Sequence, residues 1–269
     1  RIATAMGILI SSWPLGIAIA LLIIGPLEGM IGLKLTFFIP VVLCVVALLL
    51  IAMVYRAPPR GSDGNEASGA SLPGRLTVYE LRGVALAGCV WCFYNVAFIL
   101  LLSFGPEYLI SRGVELSSAG AIVSLTSWLF IPALPLGAWM AERAGRPFAT
   151  LVAIFIAIAV LIFLIPFIPL YTAIFIMLGI VFAPAGGLIM ALPVQVLRKE
   201  NRAVGMGVYF TIYYAGMGVF PVIAGYTRDL TGNPVAPLIL AAVVILLAVV
   251  ALVWFRLNQS RQALGAAVF

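Results

Sequence analysis

The residues best equipped for chemistry in this 269-residue chain are few, and their placement limits what they can do. Cys89 and Cys92 form a C-x-x-C, the spacing of a thiol redox pair or of half a metal site. Both, like Cys44, sit inside long apolar runs, where small sulfur residues ordinarily serve helix packing. The chain has no histidine, so the commonest general base and metal ligand is missing. Charged side chains avoid the centres of the apolar runs: Glu28, Glu107, Glu115 and Asp229 fall at one set of ends, and Glu80 with Arg82 at the other. These features give no catalytic residue, no metal site and no cofactor, and they disfavour an enzyme.

What remains is non-covalent recognition. Polar and aromatic groups are concentrated in four of the runs: Ser11, Ser12 and Trp13; Trp91, Tyr94, Asn95 and Phe98; Thr126, Ser127 and Trp128; and Tyr209, Thr211, Tyr213 and Tyr214. Trp91, Tyr94 or Asn95, and Phe98 follow the i, i+3/i+4, i+7 spacing of one helix face, and Tyr209 with Tyr213 repeats it at i, i+4. A buried amide such as Asn95 is costly in hydrocarbon unless it is paired or hydrated. It should therefore look into the bundle or an aqueous cavity where a solute could meet it, or else bond across to a neighbouring helix with no solute contact, and the sequence leaves both open. The same pair of readings applies to the tyrosines.

The elements that carry these groups are membrane helices. Hydrophobic residues make up 64% of the chain, charged residues 9%, and the mean hydropathy is +1.23. A hydrocarbon core of about 30 Å takes about 20 apolar residues per helix. Runs of that length, without strand-like alternation, predict eight transmembrane helices at about 2–26, 33–55, 82–104, 117–140, 147–168, 170–196, 203–226 and 235–256. Residues 57–80, rich in Pro, Gly and Ser, read as a linker between a two-helix piece and a six-helix piece. An even number of spans puts both termini on one side. That side then collects twelve of the fifteen basic residues, leaving only Lys34, Arg112 and Arg228 opposite. The termini, the linker and the 141–147 and 197–202 loops are thus expected to be cytoplasmic, and the net charge of +6 needs no nucleic acid, since anionic lipid headgroups account for it.

Sliding the chain against itself by 200 residues pairs Gly7 with Gly207, Gly16 with Gly216, Gly25 with Gly225 and Gly32 with Gly232, as well as Arg56 with Arg256. The first two spans thus look equivalent to the last two, in parallel orientation, which implies a duplicated unit. With six spans after the linker, that unit is six helices.

Two six-helix halves joined by a cytoplasmic linker resemble the plan of the major facilitator superfamily. The family carries a loop of the form G-x-L-A-D-R-x-G-R between the second and third helices of each half, and Ala138–Arg146 here reads Ala-Trp-Met-Ala-Glu-Arg-Ala-Gly-Arg at the corresponding place. Ala138 replaces the first Gly and Glu142 the Asp. The resemblance implies an all-α polytopic membrane protein corresponding to family helices five to twelve, an N-terminally truncated form that begins at Arg1. Residues 1–56 would be the last two helices of the N-terminal half, 57–81 the linker, 82–256 a complete C-terminal six-helix half, and 257–269 a cytoplasmic tail.

It also implies that every third helix, at 33–55, 147–168 and 235–256, is peripheral; these are the most aliphatic runs. Glu142, Arg143, Gly145 and Arg146 would form a conformational latch, against the plainer reading of a positively charged inner loop. The implied activity is secondary transport of a small solute by alternating access, as symport or uniport, in a bacterial inner membrane, by a monomer surrounded by lipids. The competing reading is a non-transporting membrane subunit or a membrane-embedded enzyme.

Overall fold

The computed structural model describes the backbone of residues 2–54, 76–143 and 145–267; within these, the side chains of 2–14, 25, 33, 37, 134–143 and 261–267 lie outside the described residues. Seven α-helices follow in order: α1 (Ile2–Val54), α2 (Val78–Ser111), α3 (Leu116–Arg143), α4 (Pro147–Leu164), α5 (Tyr171–Met190), α6 (Arg202–Thr231) and α7 (Ala236–Ala267). Two 3-10 turns, Pro193–Gln195 and Lys199–Asn201, join α5 to α6. There are no strands among the described residues, as expected where lipid denies the backbone any partner but itself. Seven helical stretches are long and apolar enough to span a membrane, and eight if the bent pair Leu15–Ile24 and Pro26–Gly32 counts as one span.

The helix ends follow local chemistry. The first two expected spans run together as α1, broken at Gly32, whose φ of 78° and ψ of 161° lie outside the helical region. The first part also bends by 52° ahead of Pro26, which has no N–H to give the preceding turn. α2 starts four residues earlier than expected because Thr77 and Glu80 form a capping box. α4 begins with Pro147 at its first position, where a fixed φ costs nothing. α6 stops at Gly232, whose left-handed conformation (φ 64°) lets its N–H reach Arg228 O at 3.0 Å. Gly32 and Gly232, paired by the 200-residue offset, are two of the four described glycines with positive φ, although their ψ values of 161° and 7° differ. α7 continues beyond 256 as helix to Ala267.

α2 is the hub, packing along α7 and α6 and touching α3 and α5. Val84, Ala87, Val90, Val96, Ala97, Leu100 and Leu101 are fully buried there. α3 and α5 approach so closely that a Cβ on Gly179 would lie 2.6 Å from Thr126 O. α1 packs chiefly on α3, with Ala18 fully buried and Gly120 opposite Leu21 O at a spacing only glycine permits, 2.7 Å from an added Cβ. Of the three aliphatic stretches expected to be peripheral, Lys34–Val54 has none of its window buried and Pro147–Leu164 has 28%, whereas Ala236–Ser260 has 50%. α7 buries one full face, from Leu238 to Phe255, against α2 and α4, and presents the other outward.

Candidate solute site and the clasps that frame it

The α2 face of Trp91, Tyr94, Asn95 and Phe98 lies mid-way along a helix whose two carboxylates, Glu80 and Glu107, are separated by about 40 Å of rise, more than the hydrocarbon thickness of about 30 Å. Its four side chains have different surroundings. Tyr94 is fully inside the bundle, and its hydroxyl donates to Phe182 O of α5 at 2.8 Å. Phe98 is buried against Phe182 and Phe130, with ring centroids 5.1 and 5.4 Å away. Asn95 is buried too, yet its amide turns back on its own helix, Nδ2 donating to Trp91 O at 2.8 Å, rather than crossing to a neighbour.

Trp91 faces α6. Its ring stacks on Tyr209 at 6.4 Å and meets Tyr213 at 6.1 Å, besides stacking on Tyr94 at 5.7 Å. The indole Nε1 is buried and has no hydrogen-bond acceptor among the described residues. Tyr209 is itself buried, with its hydroxyl 3.5 Å from Met190 Sδ, while Tyr213 is half-buried and Tyr214 is exposed. Close approach of the two helices depends on small groups: a Cβ on Gly88 would lie 3.2 Å from Tyr209 O, and one on Gly216 would collide with Cys92 Sγ. Cys92 is thus buried packing at the α2–α6 seam, and Cys89 is half-buried.

The remaining expected residues divide. Thr126 bonds α3 to α5 through Phe175 O at 3.0 Å. Ser127 is buried with an unpartnered hydroxyl, one turn from Phe130 and so on the edge of the aromatic cluster, and Trp128 is exposed at 37%. Thr211 is exposed on α6 and bonds to Gly207 O. Ser11, Ser12 and Trp13 fall on α1, but their side chains lie outside the described residues, as do those of Glu142 and Arg143. Of the other loop residues, Gly145 has a φ of 62° and Arg146 is exposed, its carbonyl accepting from Thr150.

Two charge clasps tie α2 to the α6 side at either end. At one, Glu80 is 2% exposed and accepts from six donors: Thr77 N (2.9 Å) and Oγ1 (3.0 Å), Arg198 N (3.2 Å), Nε (3.2 Å) and Nη2 (3.4 Å), and Asn201 Nδ2 (3.0 Å). It sits in the first turn, outside the hydrocarbon, and the Arg198 guanidinium holds its carboxyl well below the usual range, with burial opposing and the Thr77 and Asn201 bonds adding to the effect. At the other end, Arg228 Nε of α6 meets Glu107 Oε1 at 2.7 Å. Sequence reading places Glu80 and Arg198 at the same membrane face without joining them. The Thr-x-x-Glu of Thr77–Glu80 ahead of an apolar run was the available signal for the cap, and nothing in the sequence marks its partner 118 residues on.

A model of the Major Facilitator Superfamily matches residues 1–221. No curated protein and no solved structure matches.

Proposed function

The chain belongs to the Major Facilitator Superfamily, and from that premise we propose that it is a secondary transporter in which a small neutral or amphipathic solute is held against the aromatic surface that α2 and α6 share. The observation that carries this reading is the buried Nε1 of Trp91, without an acceptor among the described residues, on an indole that contacts the rings of Tyr209 and Tyr213. An unmet buried donor costs about 1–3 kcal/mol, and a solute carbonyl or hydroxyl would relieve that cost while its apolar part stacks on the rings. Tyr213 and Asn95 flank Trp91, one by ring contact and the other by a hydrogen bond to its carbonyl, and Ser127 with Trp128, together with Ser11, Ser12 and Trp13, would belong to the wider pathway. Tyr94, Phe98 and Thr126 would hold the wall in place rather than touch the solute. With no charge at mid-depth in α2 or α6, a neutral solute suits the site better than an ion.

The domain plan supports an alternating-access mechanism: 1–56 as the end of one half, 57–81 as linker, 82–256 as the other half and 257–269 as tail, with the termini cytoplasmic. The 200-residue offset in the sequence favours it. The Glu142–Arg146 loop would then act as a latch on the cytoplasmic side. The test is reconstitution into liposomes loaded in turn with neutral, cationic and anionic solutes. Saturable counterflow of a neutral solute, weakened in Trp91→Phe, is the expected result. Counterflow confined to charged solutes would overturn the site, and no counterflow of any class would favour the non-transporting subunit.

A further inference from the structure

At the Arg-rich end of the bundle, the start of α2 and the last turns of α7 run side by side. Each offers an i, i+3, i+4 triplet to a shared cleft: Arg82, Ala85 and Leu86 from α2, and Trp254, Leu257 and Asn258 from α7. The cleft has a volume of about 510 Å³. Its outer wall faces away from the core, since Trp254 is 63% and Leu257 54% exposed.

Two donors in this cleft lack acceptors. Asn258 Nδ2 is buried and makes no hydrogen bond among the described residues. Arg82 has no ion-pair partner there either, because the carboxylate nearest in sequence, Glu80, is taken up by Arg198. The level in the membrane also matters. Arg82 lies two residues beyond Glu80, at the edge of the hydrocarbon, and an indole beside it is the ordinary side chain of a membrane interface.

We propose that this cleft binds an anionic phospholipid, with its phosphodiester on Arg82 and Asn258 and one acyl chain along Ala85, Leu86, Trp254 and Leu257. A guanidinium without an ion pair and an amide N–H without an acceptor among the described residues call for an anionic oxygen acceptor, and a guanidinium meets phosphate through paired, charge-assisted bonds. Four of the six lining residues are apolar, which suits a headgroup that carries a chain and not a free anion. The basic bias of this membrane face brings anionic lipid to the same place. The assignment is independent of what the protein carries.

Native mass spectrometry of the full chain in a nonionic detergent, with phosphatidylglycerol or phosphatidylcholine added, tests it. One phosphatidylglycerol should survive activation that strips phosphatidylcholine, with a preference of about tenfold, and millimolar inorganic phosphate should not displace it. Arg82→Gln combined with Asn258→Leu should abolish the preference. Ala85→Phe, which fills the cleft while keeping both donors, should lower retention of either lipid and serves if the double variant does not fold. Equal retention of the two lipids by the unaltered protein overturns the proposal, as does full retention in Ala85→Phe. Displacement by inorganic phosphate would reduce the site to an anion site and overturn it as well.

Discussion

Lys34–Val54 and the Lys199–Thr231 stretch containing α6 are both almost uncovered by the rest of the molecule, with 0% and 6% of their apolar windows buried. Their compositions are opposite: mean hydropathy is 3.2 in the first and 1.4 in the second. In water, exposure and low hydropathy go together. In a bilayer an exposed face meets hydrocarbon, so the aliphatic stretch is at home there and α6 is not. The α6 face with Thr211, Tyr214 and Gly218 therefore suits an aqueous cavity or a second bundle, and what holds α6 is the tight seam at Gly88 and Gly216 and the clasps at either end of α2 rather than general burial.

The widest consequence is in thiol reactivity, and the protein carries one probe already. Cys44 is exposed within Lys34–Val54, where surrounding hydrocarbon keeps a water-soluble reagent away from it. With Cys89 and Cys92 replaced by Ala, Cys44 should react with a membrane-impermeant maleimide on the order of 100-fold more slowly than a cysteine introduced as Thr211→Cys or Tyr214→Cys. Equal rates would erase the distinction between the two surfaces.

Next in size is the response to charge. Val46→Lys places a cation in the middle of the lipid-facing stretch and should cost about 2.5–3.5 kcal/mol in insertion, whereas Thr211→Lys should cost far less if water reaches α6. Glycosylation mapping of inserted against uninserted chains reads the difference. A comparable loss of insertion in both variants would mean that α6 faces lipid.

Helical class, the number of runs and the separation of apolar from polar helices were legible in the sequence because the bilayer requires long uninterrupted runs. Where α1 breaks was legible from the charge, Gly and Pro that separate the 2–26 and 33–55 runs, whereas the residue that leaves the helical region, Gly32, is a matter of one dihedral. The peripheral character of α7 was half legible: its aliphatic content suits lipid, but a helix that is apolar all round can equally bury a face, as Leu238, Ala241, Ile245 and Leu252 do. For the candidate site, the i, i+4 pattern of α2 and α6 marked rings that the fold packs together, yet could not separate Tyr94, satisfied by Phe182 O, from Trp91, left with a bare N–H. That distinction depends on a carbonyl 88 residues away.

A middle-sized effect belongs to that N–H. Trp91→Phe removes the donor while retaining a ring between Tyr94 and Tyr209, so solute affinity should fall about tenfold with the thermal midpoint little changed. Tryptophan fluorescence is unsuited to this, and equilibrium binding of the radiolabelled solute to both proteins decides it. A variant that binds as tightly as the original would remove the indole from the site, leaving the α6 face with no assigned donor.

The smallest expected effect concerns the clasp. Glu80→Gln keeps the shape of the side chain but presents an amide to Arg198, and the thermal midpoint should fall by on the order of 5 °C at neutral pH. Because the folded-state carboxyl is held below its ordinary range, its stabilising contribution is complete above that range and is lost as pH falls below about 4. The gap between the original and Glu80→Gln should therefore close on acidification. Since the clasp acts on the approach to α6 and not on α1, labelling at Thr211→Cys should quicken a few-fold in the variant while Cys44 stays as it was. A gap that widens in acid would mean that the neutral carboxyl is the form the fold favours, and faster labelling at Cys44 would mean that the two uncovered surfaces are not held independently.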